Sequence, residues 1–193
     1  MRCIIIYGMA KRLFVSVGIP EETAKRLIFA AEAISSELPG KSEPRLIRAD
    51  NLHFTIIFLG SQEEEAVPLI KEAIIEAEAL AGGTDAKIFL KEADYSDSRR
   101  ADMVWAYANS DWMDRFSKFL ADSLRKRNIS FDQKPFKAHL TLIRMKGPRG
   151  LVMPDIRTNI DEEINIESVE LVESVLMPAG PVYTDIFSKR IGE

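Results

Sequence analysis

The sequence predicts an α+β fold: two lobes of mainly antiparallel sheet facing a central cleft, with helices on the outer faces. Three observations carry this. The helical and strand periodicities follow one another in a mixed order rather than as a strict β-α-β series. The order strand, helix, strand at 13–17, 21–38 and 52–59 returns at 103–108, 111–127 and 136–143. No linker separates the halves, so residues 1–193 read as one domain of two pseudo-symmetric lobes.

The elements follow in order. Leu13–Val17 alternates as a strand and ends at Gly18-Ile19-Pro20. Pro20, Glu21 and Glu22 suit a helix start, and Leu27, Ala31, Ile34 and Leu38 recur at helical spacing before Pro39-Gly40. Residues 41–51 predict a loop with a short extended piece. Leu52–Leu59 is rich in β-branched and aromatic types, hence a strand. Glu63–Leu80 predicts a helix, Ala86–Lys91 a strand and the polar 93–101 a loop. Met103–Ala108, Asp111–Arg127 and Phe136–Ile143 predict strand, helix and strand. Residues 145–155 predict a loop, Ile164–Leu176 one or two strands, and Val182–Lys189 the last strand.

Composition excludes several classes. Apolar types make up 46% and charged types 29%, too apolar and too mixed in sign for a disordered chain. One cysteine, Cys3, excludes a disulfide scaffold and leaves a cytoplasmic home as the expectation. No run of 18 apolar residues exists to cross a membrane. Residues 1–10 read as an extension before the first strand, with Met9 as a second candidate start. A net charge of −4 argues against coating duplex DNA or RNA. Yet residues 125–149 carry eight basic side chains against Asp132 alone, a window of +7. Such a window is either a solvated face or an anion-binding patch.

Both histidines of the chain, His53 and His139, stand in the same pattern, 86 residues apart. Each is His-x-Thr followed by apolar residues in an expected strand. Thr is rare enough here that the coincidence has a chance on the order of one in a thousand. In a strand, residues two apart share a face. His53 therefore shares one with Thr55, and His139 with Thr141, while Phe54, Ile56, Leu140 and Leu142 point the other way. A lone strand histidine is more often a half-buried structural residue; the pairing reverses that preference. Two facing strands of this kind build a cleft with two imidazoles and two hydroxyls. One imidazole can protonate a leaving oxygen while the other activates water, with the hydroxyls on the non-bridging oxygens of a phosphate. A metal would need a third ligand, and neither Cys3 nor any acid falls in register with the motifs. No metal and no cofactor are expected.

These paired motifs resemble the 2H phosphoesterase superfamily. The wider context, KRLFVSVGIPEE at 11–22, NLHFTIIFLG at 51–60, KPFKAHLTLIR at 134–144 and VELVESVLMPAGPVY at 169–183, resembles its RNA 2′,3′-cyclic phosphodiesterase branch, also called 2′-5′ RNA ligases. The resemblance implies a bilobal fold and metal-independent opening of an RNA 2′,3′-cyclic phosphate to a 2′-phosphate, with 2′-5′ ligation as the reverse. It implies His53 as proton donor to the leaving 3′ oxygen, His139 as proton acceptor from water, and Thr55 and Thr141 as phosphate-binding hydroxyls. It also implies Arg144 on the phosphate, although alternation places a residue five positions on from His139 on the opposite face; a strand-end twist or a bulge would return it. Phe136 matches an aromatic that either stacks on the base or belongs to the core. Ala138 stands where the family often has proline. The expected partners are RNA 3′ ends or small nucleotides with a cyclic phosphate, with no membrane, no duplex DNA and a monomeric state. The alternatives are a 2H enzyme for another cyclic or 2′-5′ linked nucleotide and a non-catalytic RNA-end-binding module.

Overall fold

The computed structural model describes residues 10–97, 101–147, 151–178 and 180–193. Residues 1–9 with Cys3 and Met9, Arg149 of the basic window, and Ala179 lie outside the described residues.

The chain runs β1 (Lys11–Gly18), α1 (Glu21–Glu37), β2 (Arg45–Leu46), β3 (His53–Gln62), α2 (Ala66–Ala81), β4 (Lys87–Tyr95), β5 (Met103–Asn109), α3 (Asp111–Lys126), β6 (His139–Arg144), β7 (Thr158–Asn165), β8 (Ser168–Met177) and β9 (Gly180–Arg190). One sheet has the order β3-β1-β8-β9 and the other β2-β6-β5-β4-β7, and the strand pairs are antiparallel. The α+β fold of two antiparallel sheets is therefore as the sequence predicts.

The helices explain how the sheets are held together. α1 follows a strand of the first sheet but packs on β6 and β2 of the second. Its Leu27, Ala31 and Ile34 are buried there, and Thr23 and Arg26 both bond Glu162 of β7. In the same way α3 follows β5 of the second sheet but packs on α2 and β3 of the first. Ser110 caps α3 by accepting from the Met113 amide at 3.1 Å and donating to the Lys87 carbonyl at 2.6 Å. Trp112 and Phe116 stack at 4.9 Å inside the core, with Trp112 Nε1 donating to the Gly82 carbonyl at 2.6 Å. α1 and α3 thus each cover the sheet to which the preceding strand does not belong, and the apolar residues of both sheets join one core cluster.

Several boundaries differ from the sequence expectation, and three of them have a clear physical cause. β4 runs on through Ala93–Tyr95, where the polar composition predicts a loop, because Asp94 and Tyr95 pair with Trp105 and Val104 of β5. Asp94 is polar because it binds Arg157 at 2.8 Å. β7 starts at Thr158 rather than Ile164, as an edge strand whose exposed face is acidic. β6 starts at His139 rather than Phe136: Pro135 has no amide to give, and the last link before the strand is the Ala138 carbonyl accepting from the Ala108 amide at 3.1 Å.

Candidate active site

The two histidines open their strands, His53 on β3 and His139 on β6, and the two strands approach each other across the sheets. Each ring is anchored by the same local bond. His53 Nδ1 lies 2.8 Å from the Asn51 carbonyl, and His139 Nδ1 lies 2.7 Å from the Lys137 carbonyl. A carbonyl only accepts, so each Nδ1 carries hydrogen and each Nε2 is left as the working nitrogen. Thr55 Oγ1 lies 3.1 Å from His53 Nε2, on the face shared by alternation. Thr141 shares the face of His139, and both threonines are half-buried.

The neighbours of the two rings differ. Phe14 stacks on His53 with centroids 5.0 Å apart, and Tyr183 meets it edge-on at 5.4 Å. Trp105 stacks on His139 at 3.8 Å. Both rings are half-buried, and that burial pushes both imidazoles below their ordinary value. For His53 the Asn51 carbonyl opposes the shift, the charges of Arg144 and His139 deepen it, and Asp185 counters. For His139 the Lys137 carbonyl raises while the Lys137 charge lowers. Arg144 and His139 of one sheet therefore act on His53 of the other.

Arg144 reaches the cleft because β6 carries a bulge. Trp105 pairs with Thr141 and Val104 with Ile143, so Leu142 is an extra residue in the strand. Leu142 and Ile143 are both buried, and Arg144 returns to the side of His139. β3 bulges at the matching place: Ser16 pairs with Thr55 and Val15 with Ile57, leaving Ile56 extra. Phe58, five residues after His53, thereby returns to the cleft side as an aromatic with 51% of its surface exposed, 6.0 Å from Phe14. A second shift in β3 falls at Leu59, and Gly60 takes φ 69°, a conformation that favours glycine. That is the backbone reason for the Phe-Leu-Gly sequence after the histidine.

Phe136 is half-buried and packed on the core. The sequence reading did not single out Phe14, Trp105, Tyr183 or Phe58. The signal for the first two was their strand, since β1 and β5 are the partners of the His-x-Thr strands. Among the described residues no three His, Cys, Asp or Glu side chains converge as a metal site. A cavity of about 760 Å³ lies elsewhere, lined by Lys87, Asn165, Ser168 and Arg190 among others, with no imidazole.

Comparison with protein-family models finds no match. Curated proteins do match. The RNA 2′,3′-cyclic phosphodiesterase of Archaeoglobus fulgidus is 29% identical over 180 residues, covering 91% of this chain and 97% of the relative. The enzyme of that name from Thermus thermophilus is 30% identical over 183 residues, covering 90% of this chain and 86% of the relative. Among solved structures, TT0787 of Thermus thermophilus superposes with a TM-score of 0.76 at 26% identity, over 93% of this chain and 97% of that one. Escherichia coli LigT, complexed with 3′-AMP, shares the fold with a TM-score of 0.68 at 20% identity, over 95% of this chain and 99% of that one. With this fold, and with 30% identity over nine-tenths of its length to a relative of which it covers 86%, the chain belongs to the RNA 2′,3′-cyclic phosphodiesterase family.

Proposed function

We propose that the chain opens RNA 2′,3′-cyclic phosphate ends to 2′-phosphates with His53 and His139 as the acid and base and without a metal. The observation that carries this is the shared anchor: both Nδ1 atoms bond a carbonyl two residues back, which presets both Nε2 atoms for proton transfer. His139 Nε2 takes a proton from water as the water oxygen bonds phosphorus. His53 Nε2 gives its proton to the 3′ oxygen as the P–O3′ bond breaks. The products are a 2′-phosphomonoester and a free 3′ hydroxyl, and the two histidines end with their protonation states exchanged. Thr55 and Thr141 donate to the non-bridging oxygens, and the Arg144 guanidinium holds their charge. With the 5′ hydroxyl of a second RNA end in place of water, the same attack on the cyclic phosphate, with His139 taking the hydroxyl proton and the 3′ oxygen leaving, yields a 2′-5′ link.

The names of the curated relatives support RNA ends as substrate, and LigT with 3′-AMP supports a nucleotide in such a cleft. We further read Phe136 as core rather than as a base platform, and the chain as one domain of two lobes acting as a monomer in the cytoplasm.

The test is incubation with a short RNA ending in a 2′,3′-cyclic phosphate, chelator present, with the product resolved against 2′- and 3′-phosphate standards. The expected product is the 2′-phosphate, absent with His53→Ala and with His139→Ala. Activity lost to chelator and restored by one metal would overturn the acid–base reading. A 3′-phosphate product would overturn the regiochemistry.

A further inference from the structure

β2 is two residues long, yet it places Arg45 directly across from Arg144 of β6. Directly opposed residues of an antiparallel pair point to the same side, with Cβ atoms roughly 4.5–5.5 Å apart. Arg45 therefore stands on the cleft side with Arg144, one strand farther out, and both side chains are exposed. Like charges in this position repel. Several other arginines are matched to acids: Arg26 to Glu162, Arg48 to Asp50, Arg127 to Glu76 and Arg157 to Asp94. Among the described residues Arg45 meets no carboxylate, and Arg144 contacts only the Met103 sulfur, at 3.7 Å. A cationic pair held in register at a cleft rim, with no acid between its members, is complementary to an anion.

The positive strip continues outward. Lys146 and Gly147 both donate their amides to the Ser42 carbonyl at 3.0 Å. A Cβ on Gly147 would fall 2.2 Å from the Lys41 carbonyl oxygen, so only glycine allows this approach. The approach sets Lys146 beside Lys41, both exposed and neither paired with an acid among the described residues.

Resting on the function proposed above, we propose that Arg45 is the phosphate ligand of a second subsite. It holds the first phosphodiester upstream of the reacting cyclic phosphate, so the enzyme favours oligonucleotide ends over mononucleotides. Arg144, within electrostatic reach of His53, belongs to the reacting phosphate. The next anion on the substrate is the phosphodiester on the 5′ side of the same nucleoside. Arg45 stands about one strand spacing from Arg144, ~5 Å.

The experiment compares kcat/KM on two substrates: a short oligoribonucleotide with a terminal 2′,3′-cyclic phosphate, and a nucleoside 2′,3′-cyclic phosphate with no upstream phosphate. Wild type should favour the oligonucleotide. Arg45→Gln should lower that preference about tenfold, through KM rather than kcat, with Arg45→Lys between the two. The slope of log kcat/KM against log salt for the oligonucleotide should become shallower by roughly 0.7, the value for one phosphate of a single strand. An unchanged preference in Arg45→Gln overturns the subsite. So does an equal loss on both substrates, which would put Arg45 on the reacting phosphate. Wild type inactive on both substrates would instead overturn the function proposed above, and the subsite with it.

Discussion

Replacing the leaving oxygen with sulfur isolates the acid from the base. In the proposed reaction His53 protonates the 3′ oxygen as the P–O bond breaks. A 3′-sulfur analogue departs as a thiolate, whose ordinary pKa of ~8.5 makes the proton dispensable. His53→Ala should lose ~10²–10⁴ in rate on the oxygen substrate, roughly 3–5 kcal/mol of barrier. On the sulfur substrate it should lose less than about tenfold, whereas His139→Ala should lose heavily on both, because water still needs a base. Unfolding cannot imitate this pattern. The His53 ring bonds the Asn51 carbonyl at 2.8 Å and Thr55 Oγ1 at 3.1 Å, stacks on Phe14 at 5.0 Å and meets Tyr183 edge-on at 5.4 Å. At about 1 kcal/mol each, these contacts together stay below the ~5–15 kcal/mol of a typical fold. Single-turnover chromatography follows the oxygen substrate and a thiol-reactive dye the sulfur one. Equal losses of His53→Ala on both substrates, or rescue of His139→Ala by sulfur, would refute the assignment.

Burial lowers both imidazoles, so the free enzyme has one protonated and one neutral ring only at acidic pH. The pH profile of kcat/KM should be a bell centred below ~6.5; a bell centred above neutrality would contradict the burial argument. Phosphate bound by Arg144 cancels the charge that lowers His53, so inorganic phosphate should bind with proton uptake near pH ~6.5. Calorimetry in two buffers of different ionisation enthalpy reads the uptake, and proton release would count against it. Arg144→Met should raise KM ~10–100-fold, and by removing a cation it should move the alkaline limb, set by His53, to higher pH. Ser110→Ala removes the α3 cap and leaves the Lys87 carbonyl short of a donor, costing roughly 1–3 kcal/mol in urea unfolding; kcat should not change, since Ser110 lies outside the cleft.

Periodicity in the sequence carried most of the fold, because strands and helices with one buried face declare their period. It failed where polar residues lie inside a sheet for reasons of pairing. Asp94 looked like loop, yet it is a strand residue bound to Arg157. The edge strand β7 hid in its acids for the same reason. The His-x-Thr pairs were legible because alternation is local. Arg144 was not legible from alternation, since the bulge at Leu142 is fixed by pairing with β5, which the sequence of β6 alone does not encode. Phe14, Trp105 and Tyr183 gather around the rings from other strands, and only the strand order brings them there. Arg45 belongs to a strand of two residues, too short for any period to announce.

A duplicated motif poses a chemical problem, because an acid and a base need different proton affinities. The two strands share the same Nδ1 anchor and the same bulge three residues after the histidine, while only His53 has its Nε2 bonded to the threonine of its motif, at 3.1 Å. The shared features do not tell acid from base, and neighbours add a further difference. Asp185 supplies one. It raises His53, and among the described residues no carboxylate does the same for His139, which sees burial, the Lys137 carbonyl and the Lys137 charge. Arg144 opposes Asp185, but on the proposed function a bound phosphate would engage Arg144 and remove that opposition. His53 then keeps the help of Asp185 and gains the attraction of the substrate anion. On the proposed function, the bulge that returns Arg144 to the cleft would therefore do two things at once: grip the phosphate, and make the proton on His53 conditional on the phosphate being there.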